Sequence, residues 1–233
     1  MQTTSALYQT IIAGDHWFET RIIIDGVGTY GETDLFAMYT THEMFHNSPT
    51  IGSAVAGEIT VKMVYPTNVT IPTMAKLFPQ VRVCNDTQQS EWLSQGVYWI
   101  DTRERTVSEA NEDVLIIHGY DAMLKAEQMF SSNTITGDST DTDMVDAIAS
   151  LMGVSVDSRT YTLMNKAYTI PLPTGYSCRE VLGYIAAMYV GSFIITDEGK
   201  LRLVSILELP PETNLLINED LDYITFGGDR ILV

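Results

Sequence analysis

Basic residues are scarce in this chain. It contains 13 lysines and arginines against 30 aspartates and glutamates, which gives a formal net charge of −17 at pH 7. A surface with this charge repels nucleic-acid phosphates and anionic membranes unless its few positive charges are clustered. We therefore expect no specific binding of nucleic acid and no membrane partner.

Cysteine is nearly absent as well. The two cysteines, Cys84 and Cys178, can form neither a disulfide framework nor a four-ligand zinc site. Cys178 follows Ser177 at a predicted helix start, where a thiol can become more acidic. A small packed side chain is nevertheless the favoured interpretation of this residue.

A leader sequence and a long apolar run are also missing. The start, "MQTTSALYQTIIAGDHW", lacks the charged and apolar regions of a signal peptide. The longest apolar run, residues 181–195, is interrupted by Gly183, Gly191 and Ser192 and is too short to span a bilayer. We expect a soluble protein without an export signal.

What the chain does contain is β-strand patterning in its first half. In "AGEITVKMV", apolar residues alternate with polar ones, which is typical of a half-buried strand. Further strands are predicted at "TRIIID", "QVRVCN", "GVYWIDTRERTV" and "EDVLIIHGY", and one helix at "YDAMLKAEQMF". Short strands separated by turns indicate a small barrel or sandwich, and we assign it to residues 1–130.

The pattern changes after the polar segment "SSNTITGDSTDTD", which we take as a domain boundary. A helix is predicted in "TDTDMVDAIASLMG", ending at Gly153, and another in "SCREVLGYIAAMYVG", with a Ser177–Glu180 capping box and Gly191 as the C′ residue that ends it. The next segment, "SFIITDEGKLRLVSI", predicts a hairpin that turns at Gly199. We therefore assign an α/β domain to residues 131–207 and an extended segment to residues 208–233.

The most conspicuous motif is His42-Glu43-Met44-Phe45-His46, which has the H-E-x-x-H pattern of a zinc peptidase. Two such histidines share a metal only on a helix, whereas the surrounding sequence favours a strand, in which they would lie about 13 Å apart. No third ligand follows at a suitable spacing. We expect Phe45 to pack inward and the histidines to face the other side, and we keep a zinc metallopeptidase only as an alternative.

Two further patterns imitate binding sites. Residues 26–31 spell G-x-G-x-x-G, but no helix is predicted to follow, so a hairpin turn is favoured over a dinucleotide site. The aspartates at 138, 141, 143 and 146 lack the spacing of a calcium loop and fit a linker followed by a helix start. We predict no catalytic residue, no metal site and no cofactor.

Three stretches taken in order resemble one known family: "SEWLSQGVYWIDTRE", "DVLIIHGYDAMLKAE" and "YSCREVLGYIAAMYVGSFIITDEGKLRLVSI". They are similar to the baseplate hub, or tail-tip hub, proteins of long-tailed bacteriophages and prophages. The matching elements are Ile100-Asp101, the Tyr120-Asp121-Ala122-Met123 helix start, residues 181–185, and the Gly199-Lys200-Leu201 turn.

The resemblance implies an α+β fold, in which a mostly antiparallel tube-type β-barrel is followed by an α/β domain of two helices and a hairpin. Hubs of this family are usually trimers whose subunits carry two such barrels, so residues 208–233 would begin a second barrel. It also implies a structural, non-enzymatic role in the virion tail, after synthesis in the host cytoplasm.

In that role the barrels would pack into a ring that joins the tail tube to the spike or to distal tail proteins. Genomic DNA would pass through an acidic lumen. A carbohydrate-binding module is a further alternative, although Trp17, Trp92 and Trp99 are too scattered in sequence to support it.

Overall fold

The computed structural model describes residues 3–42, 50–67, 69–107 and 113–205, together with the backbone of residues 225–226 and 229–230. The helices are α1 (Ala6–Ile12), α2 (Asp141–Met152), α3 (Ser158–Leu163), α4 (Cys178–Met188) and a 3₁₀-helix (Ala122–Glu127). The strands are β1 (Trp17–Ile24), β2 (Gly28–Tyr30), β3 (Leu35–Thr41), β4 (Ser53–Ala54), β5 (Glu58–Val64), β6 (Lys76–Cys84), β7 (Leu93–Ser94), β8 (Tyr98–Val107), β9 (Asp113–Asp121), β10 (Ser139–Thr140), β11 (Thr169–Ile170), β12 (Gly191–Ile195), β13 (Leu201–Ser205), β14 (Thr225–Phe226) and β15 (Asp229–Arg230).

The largest sheet is antiparallel and has the order β2-β1-β6-β8-β9-β5-β3, with β7 paired to β6. The predicted alternation in β5 is confirmed, because Ile59, Val61 and Met63 are buried. These side chains belong to one apolar cluster with Ile22 and Ile24 of β1, although three strands lie between β1 and β5. The sheet therefore curls around this first cluster.

A second apolar cluster is built by α2, α4 and the hairpin of β12 and β13. Phe193 at its centre is fully buried. The cluster also includes Ala54, Ala122, Met123 and Ala126, which precede residue 131 in the chain. The α+β class, dominated by antiparallel strands, is confirmed; the division at residue 131 stays a prediction.

The helix ends follow the local chemistry of the sequence. Thr140 caps α2, and Gly153 ends it in the left-handed conformation at φ 71°. The capping box of Ser177 and Glu180 at the start of α4 is present as predicted. The prediction that Gly191 is the C′ residue of α4 is wrong. Tyr189 is the C-cap, Val190 follows it with a positive φ of 52°, and Gly191 begins β12.

We call the large sheet with the first apolar cluster the first part of the fold, and the helices and hairpin around the second cluster the second part. Strand β4 connects these two parts. It pairs in parallel with β12, with Ser53 opposite Ser192, and the two hydroxyl groups lie 2.8 Å apart. The preceding residue, Gly52, lies against α4 so closely that a Cβ atom on Gly183 would be 2.7 Å from the Gly52 carbonyl oxygen. A loop of the first part is thereby fixed onto the helix of the second.

Three elements differ from the expectations or fall outside them. The segment "YDAMLKAEQMF" forms a short 3₁₀-helix, and the helices α1 and α3 were not predicted. Near the C-terminal end, β14 pairs with β15. The remaining residues of 206–233, and with them the predicted start of a second barrel, lie outside the described residues.

Candidate functional site

Of the zinc motif, only His42 is described. It directly follows β3, and its Nε2 atom lies 2.7 Å from the Tyr98 hydroxyl and 3.8 Å from the Asp197 carboxylate. Glu43, Phe45 and His46 lie outside the described residues, so the geometry of the motif stays a prediction. Within the described ranges, no group of three His, Cys, Asp or Glu side chains could hold a metal ion.

The other singled-out residues have structural surroundings. Residues 25–27 form the turn between β1 and β2, and residues 28–30 are β2 itself, as the hairpin interpretation predicts. Asp141 is buried and accepts a hydrogen bond from the Tyr189 hydroxyl, whereas Asp146 accepts one from Tyr161. These contacts explain both aspartates without a ligand.

Both cysteines are buried. Burial raises the pKa of the Cys178 thiol above its ordinary value. The pKa of Cys84 is raised by burial and by the neighbouring Glu19 carboxylate. Because a reactive cysteine needs a lowered pKa and access to solvent, the packed interpretation holds for both.

The polar groups of the molecule converge at the junction between the sheet and the second cluster. Asp121 ends β9 and is only 3% exposed. Its carboxylate accepts hydrogen bonds of 2.8 Å from the backbone N–H groups of Gly57 and Met123. It thus caps the 3₁₀-helix and fixes the strand entry at Gly57, where a Cβ atom would lie 2.8 Å from Asp121 Oδ2.

Tyr98 completes the junction from β8. It is fully buried, and its hydroxyl donates to the Gln95 carbonyl oxygen at 3.1 Å while contacting His42. A Cβ atom on Gly96, which has a φ of +115°, would lie 2.6 Å from the Tyr98 ring. Only glycine therefore fits there.

Electrostatics at the junction do not favour proton transfer by Tyr98. Burial, and secondarily the charges of Asp121 and Asp197, raise the pKa of Tyr98 far above its ordinary value. Burial also raises the pKa of Asp121 to about 6, against the opposing effect of its two backbone hydrogen bonds. The arrangement serves to hold the two parts together, and Tyr98 stays protonated at neutral pH.

The β12–β13 turn also belongs to this junction between the two parts, which we call the joint. The Ser94 hydroxyl donates to the Asp197 carbonyl oxygen at 2.8 Å, and Asp197 faces His42. A cavity of about 320 Å³ between the two parts is lined by His42, Gly57, Asp121 and the β12–β13 residues Ile194 and Arg202, among others. Sequence reasoning missed this joint, although an aspartate directly before "AMLKAE" is a capping signal.

The free edge of the large sheet is a candidate surface for assembly. Strand β3 pairs with β5 on one side, and no described strand pairs with its other side. Phe36 is 48% exposed and Tyr39 66% exposed on this edge strand. Unpaired edge strands readily add a strand from another chain.

The described part of the chain contains no helix that is long and apolar enough to cross a membrane. No known family model and no curated protein matches the sequence.

Solved structures similar to the chain include two tail proteins. One is the 43 kDa tail protein of prophage MuSo2 from Shewanella oneidensis, with 14% identity and a TM-score of 0.55 over 84% of this chain and 57% of that protein. The other is a tail protein from Neisseria meningitidis MC58, with 14% identity and a TM-score of 0.50 over 80% of this chain and 51% of that protein. The chain spans little more than half the length of each and shares its fold with these two tail proteins.

Proposed function

We propose that the chain is a structural component of a phage tail tip or baseplate hub. The single observation that supports this most strongly is its likeness in fold to two prophage or bacterial tail proteins over at least 80% of its length. In this proposal the curled sheet packs beside its neighbours in a ring, which is a trimer in the full-length protein. The ring joins the tail tube to the spike or to distal tail proteins.

The joint described above supports a structural role. Asp121 connects β9 to the 3₁₀-helix, β4 is paired with β12, and the β12–β13 turn is bonded to the β7 region. Two of these contacts join residues about 100 or more positions apart, and together they hold the curled sheet and the second cluster in a fixed relation. The proposed domains are residues 1–130, residues 131–207, and a second-barrel start at 208–233.

The free edge of β3 supplies a second supporting feature. Its exposed aromatic side chains and unpaired backbone groups suit strand addition by a neighbouring tail protein. Replacing Tyr39 by lysine places a charge on this edge, which natural proteins use to prevent strand addition. We expect Tyr39→Lys to fold normally and to assemble poorly. Tyr184→Lys, at a tyrosine of α4 that is 60% exposed, is the matched control and should assemble like the wild type.

The proposal has no catalytic step. The zinc alternative is tested by metal analysis of the purified chain. Stoichiometric zinc in the wild type that disappears in His42→Ala would overturn the structural proposal in favour of a metallopeptidase.

The decisive experiment uses the phage or prophage that encodes this chain. Deleting its coding sequence should give particles with incomplete tails, and expression from a plasmid should restore them. Antibodies against the chain should label the tail tip in electron micrographs. Normal tails in the deletion, or labelling along the capsid, would refute the proposal, and a basic lumen in the assembled ring would refute passage of DNA through an acidic channel.

A further inference from the structure

Basic side chains gather on one strip of the outer sheet surface. Alternate residues of β6 share a face; Lys76, Gln80 and Arg82 lie on the outer one, opposite buried Leu77 and Pro79. The strip extends about 20 Å along β6, at about 3.3 Å per residue. We call it the basic stripe, and it consists of Arg21, Lys76, Arg82 and Lys125 with the tryptophans Trp92 and Trp99.

The tryptophans hold these cations in place. The guanidinium carbons of Arg21 and Arg82 lie 4.1 and 4.4 Å from the centre of the Trp92 ring. At the other end of the stripe, the ammonium group of Lys125 lies 3.9 Å from the centre of Trp99, and that of Lys76 lies 5.8 Å from it. Cation–π contacts orient a charge without neutralising it.

Three carboxylates that lie on the elements of the stripe, or beside them in sequence, have partners. Glu19 pairs with Arg82 at 2.5 Å, and Glu127 pairs with Arg179 at 2.9 Å. Glu91 accepts two hydrogen bonds from Ser5. Glu19 and Glu127 are thus taken up by ion pairs with arginine, whereas Glu91 is held by a neutral serine and forms no ion pair with the stripe.

Arg21, Lys76 and Lys125 form no ion pair with any residue in the described ranges. Burial and the nearby charge of Lys76 lower the pKa of Lys125, which agrees with two ammonium groups facing the same ring. The chain has more than twice as many acids as bases. Three bases without an ion-pair partner along one strip therefore leave a positive surface on an otherwise acidic chain.

The complementary charge occurs elsewhere on the same chain. A groove of about 600 Å³ is lined by Asp143 and Asp146 of α2 and by the loop at residues 131–135. Asp138 is exposed and directly precedes Ser139, another residue that lines the groove. Within the described ranges none of these three aspartates pairs with a lysine or arginine. We call this the acidic groove.

We propose that the basic stripe docks on the acidic groove of a second copy of this chain. No ion pair joins the two surfaces within one chain, and their opposite charges make the surface of one copy complementary to that of the next. A contact between two different surfaces repeats from copy to copy and builds a ring or a filament. This inference rests on the proposed ring assembly and adds the surfaces that form it.

Sedimentation velocity of the full chain tests the contact. Self-association should be strong at about 0.01 M salt, where the Debye length is about 30 Å, and weak at about 1 M, where it is about 3 Å. The stripe variant Lys76→Glu/Lys125→Glu should weaken association at least about tenfold. The control Lys62→Glu/Lys166→Glu changes the net charge equally at two exposed lysines outside the stripe and should associate like the wild type.

Charge exchange gives the sharpest outcome. The groove variant Asp143→Lys/Asp146→Lys should also fail to associate with itself, whereas a mixture of stripe and groove variants should associate, because each then offers a surface opposite in charge to the other's. Restored association also shows that both variants are folded. The milder pair Lys76→Gln/Lys125→Gln repeats the test with less perturbation.

Three outcomes would overturn the inference. They are a wild-type chain that stays monomeric at about 1 mM in low salt, a stripe variant that associates like the control, and a mixture that does not associate. Binding of duplex DNA that is lost only in the stripe variant, without self-association, would make the stripe a nucleic-acid surface instead. If antibodies label the tail tip and the stripe variant still forms the same oligomer as the wild type, this inference is refuted and the proposed function stands.

Discussion

Gly183 provides a test of the joint between the two parts of the fold. It lies within α4, where alanine normally favours the helix over glycine by about 1 kcal/mol. In this protein, the added methyl group would lie 2.7 Å from the carbonyl oxygen of Gly52. That oxygen belongs to the backbone beside β4, which is fixed by the hydrogen bond from Gly52 N to the Gly191 carbonyl oxygen at 2.8 Å. The obstacle therefore cannot rotate away.

The two effects have opposite signs and can be compared. Overpacking costs about 1–3 kcal/mol, and a fixed backbone obstacle places Gly183→Ala in the upper part of that range. After subtracting the gain in helix propensity, we expect a loss of about 1–2 kcal/mol in the free energy of unfolding. For a chain of this size each kcal/mol lowers Tm by about 2–4 °C.

Thermal and urea unfolding of Gly183→Ala measure this loss. Gly52→Ala should lose more, about 2–4 kcal/mol, because its φ of +84° is strained for alanine and its Cβ would also meet Ala187. Gly137→Ala is the control, since no atom lies within 4 Å of its Cβ position, and it should change stability by less than about 1 kcal/mol. A Gly183→Ala protein more stable than the wild type would refute the close approach of Gly52 to α4.

Two further changes test buried polar groups. The pKa of Asp121 is raised from its ordinary value of 3.8 to about 6, so the folded state binds the proton of this carboxyl group more tightly than the unfolded state does. The stability gained from this proton binding is complete below pH 4 and is lost as the pH rises through 6. The wild type should lose about 3 kcal/mol of its free energy of unfolding over this pH range, whereas Asp121→Asn has no such group to titrate. Urea unfolding at pH 4 and pH 7 should therefore show the stability of Asp121→Asn relative to the wild type rising by about that amount. A difference between the two proteins that does not change with pH would contradict the raised pKa. Thr160 is fully buried, and its hydroxyl oxygen accepts a hydrogen bond from the Leu203 N–H at 3.1 Å. Thr160→Val should therefore lower the free energy of unfolding by about 1–3 kcal/mol, whereas the control Thr162→Val, at an exposed position of the same helix, should change it by less than about 0.5 kcal/mol. Equal losses in the two variants would contradict the assigned bond.

Much of the fold was predictable because its signals are local. The alternation of β5, the capping box of α4 and the Gly199 turn each depend on residues a few positions apart, and each is confirmed. The short helices α1 and α3 were missed because their six or seven residues bury only one side chain each. Such helices have almost no apolar periodicity from which to predict them.

The candidate site was less predictable, because its contacts are long-range. Nothing in the sequence around His42 indicates that it meets Tyr98, and nothing around Gly57 indicates that it donates to Asp121. Gly191 illustrates a local failure: glycine normally ends a helix in the left-handed conformation, but here Val190 takes that conformation. Gly191 is needed instead within β12, where a Cβ atom would lie 2.4 Å from the Val204 carbonyl oxygen.

The pairing of β4 with β12 has a consequence for the order of events during synthesis. Ser53 and Ser192 are separated by 139 residues, so a nascent chain must wait for its partner strand. At about 5–20 residues per second this delay is about 7–28 s. Contacts of such high sequence separation slow folding, because the loop between them must be closed before they contribute. We therefore expect the curled sheet to emerge from the ribosome while β4 is still unpaired, and β4 to pair only after the β12–β13 hairpin has formed.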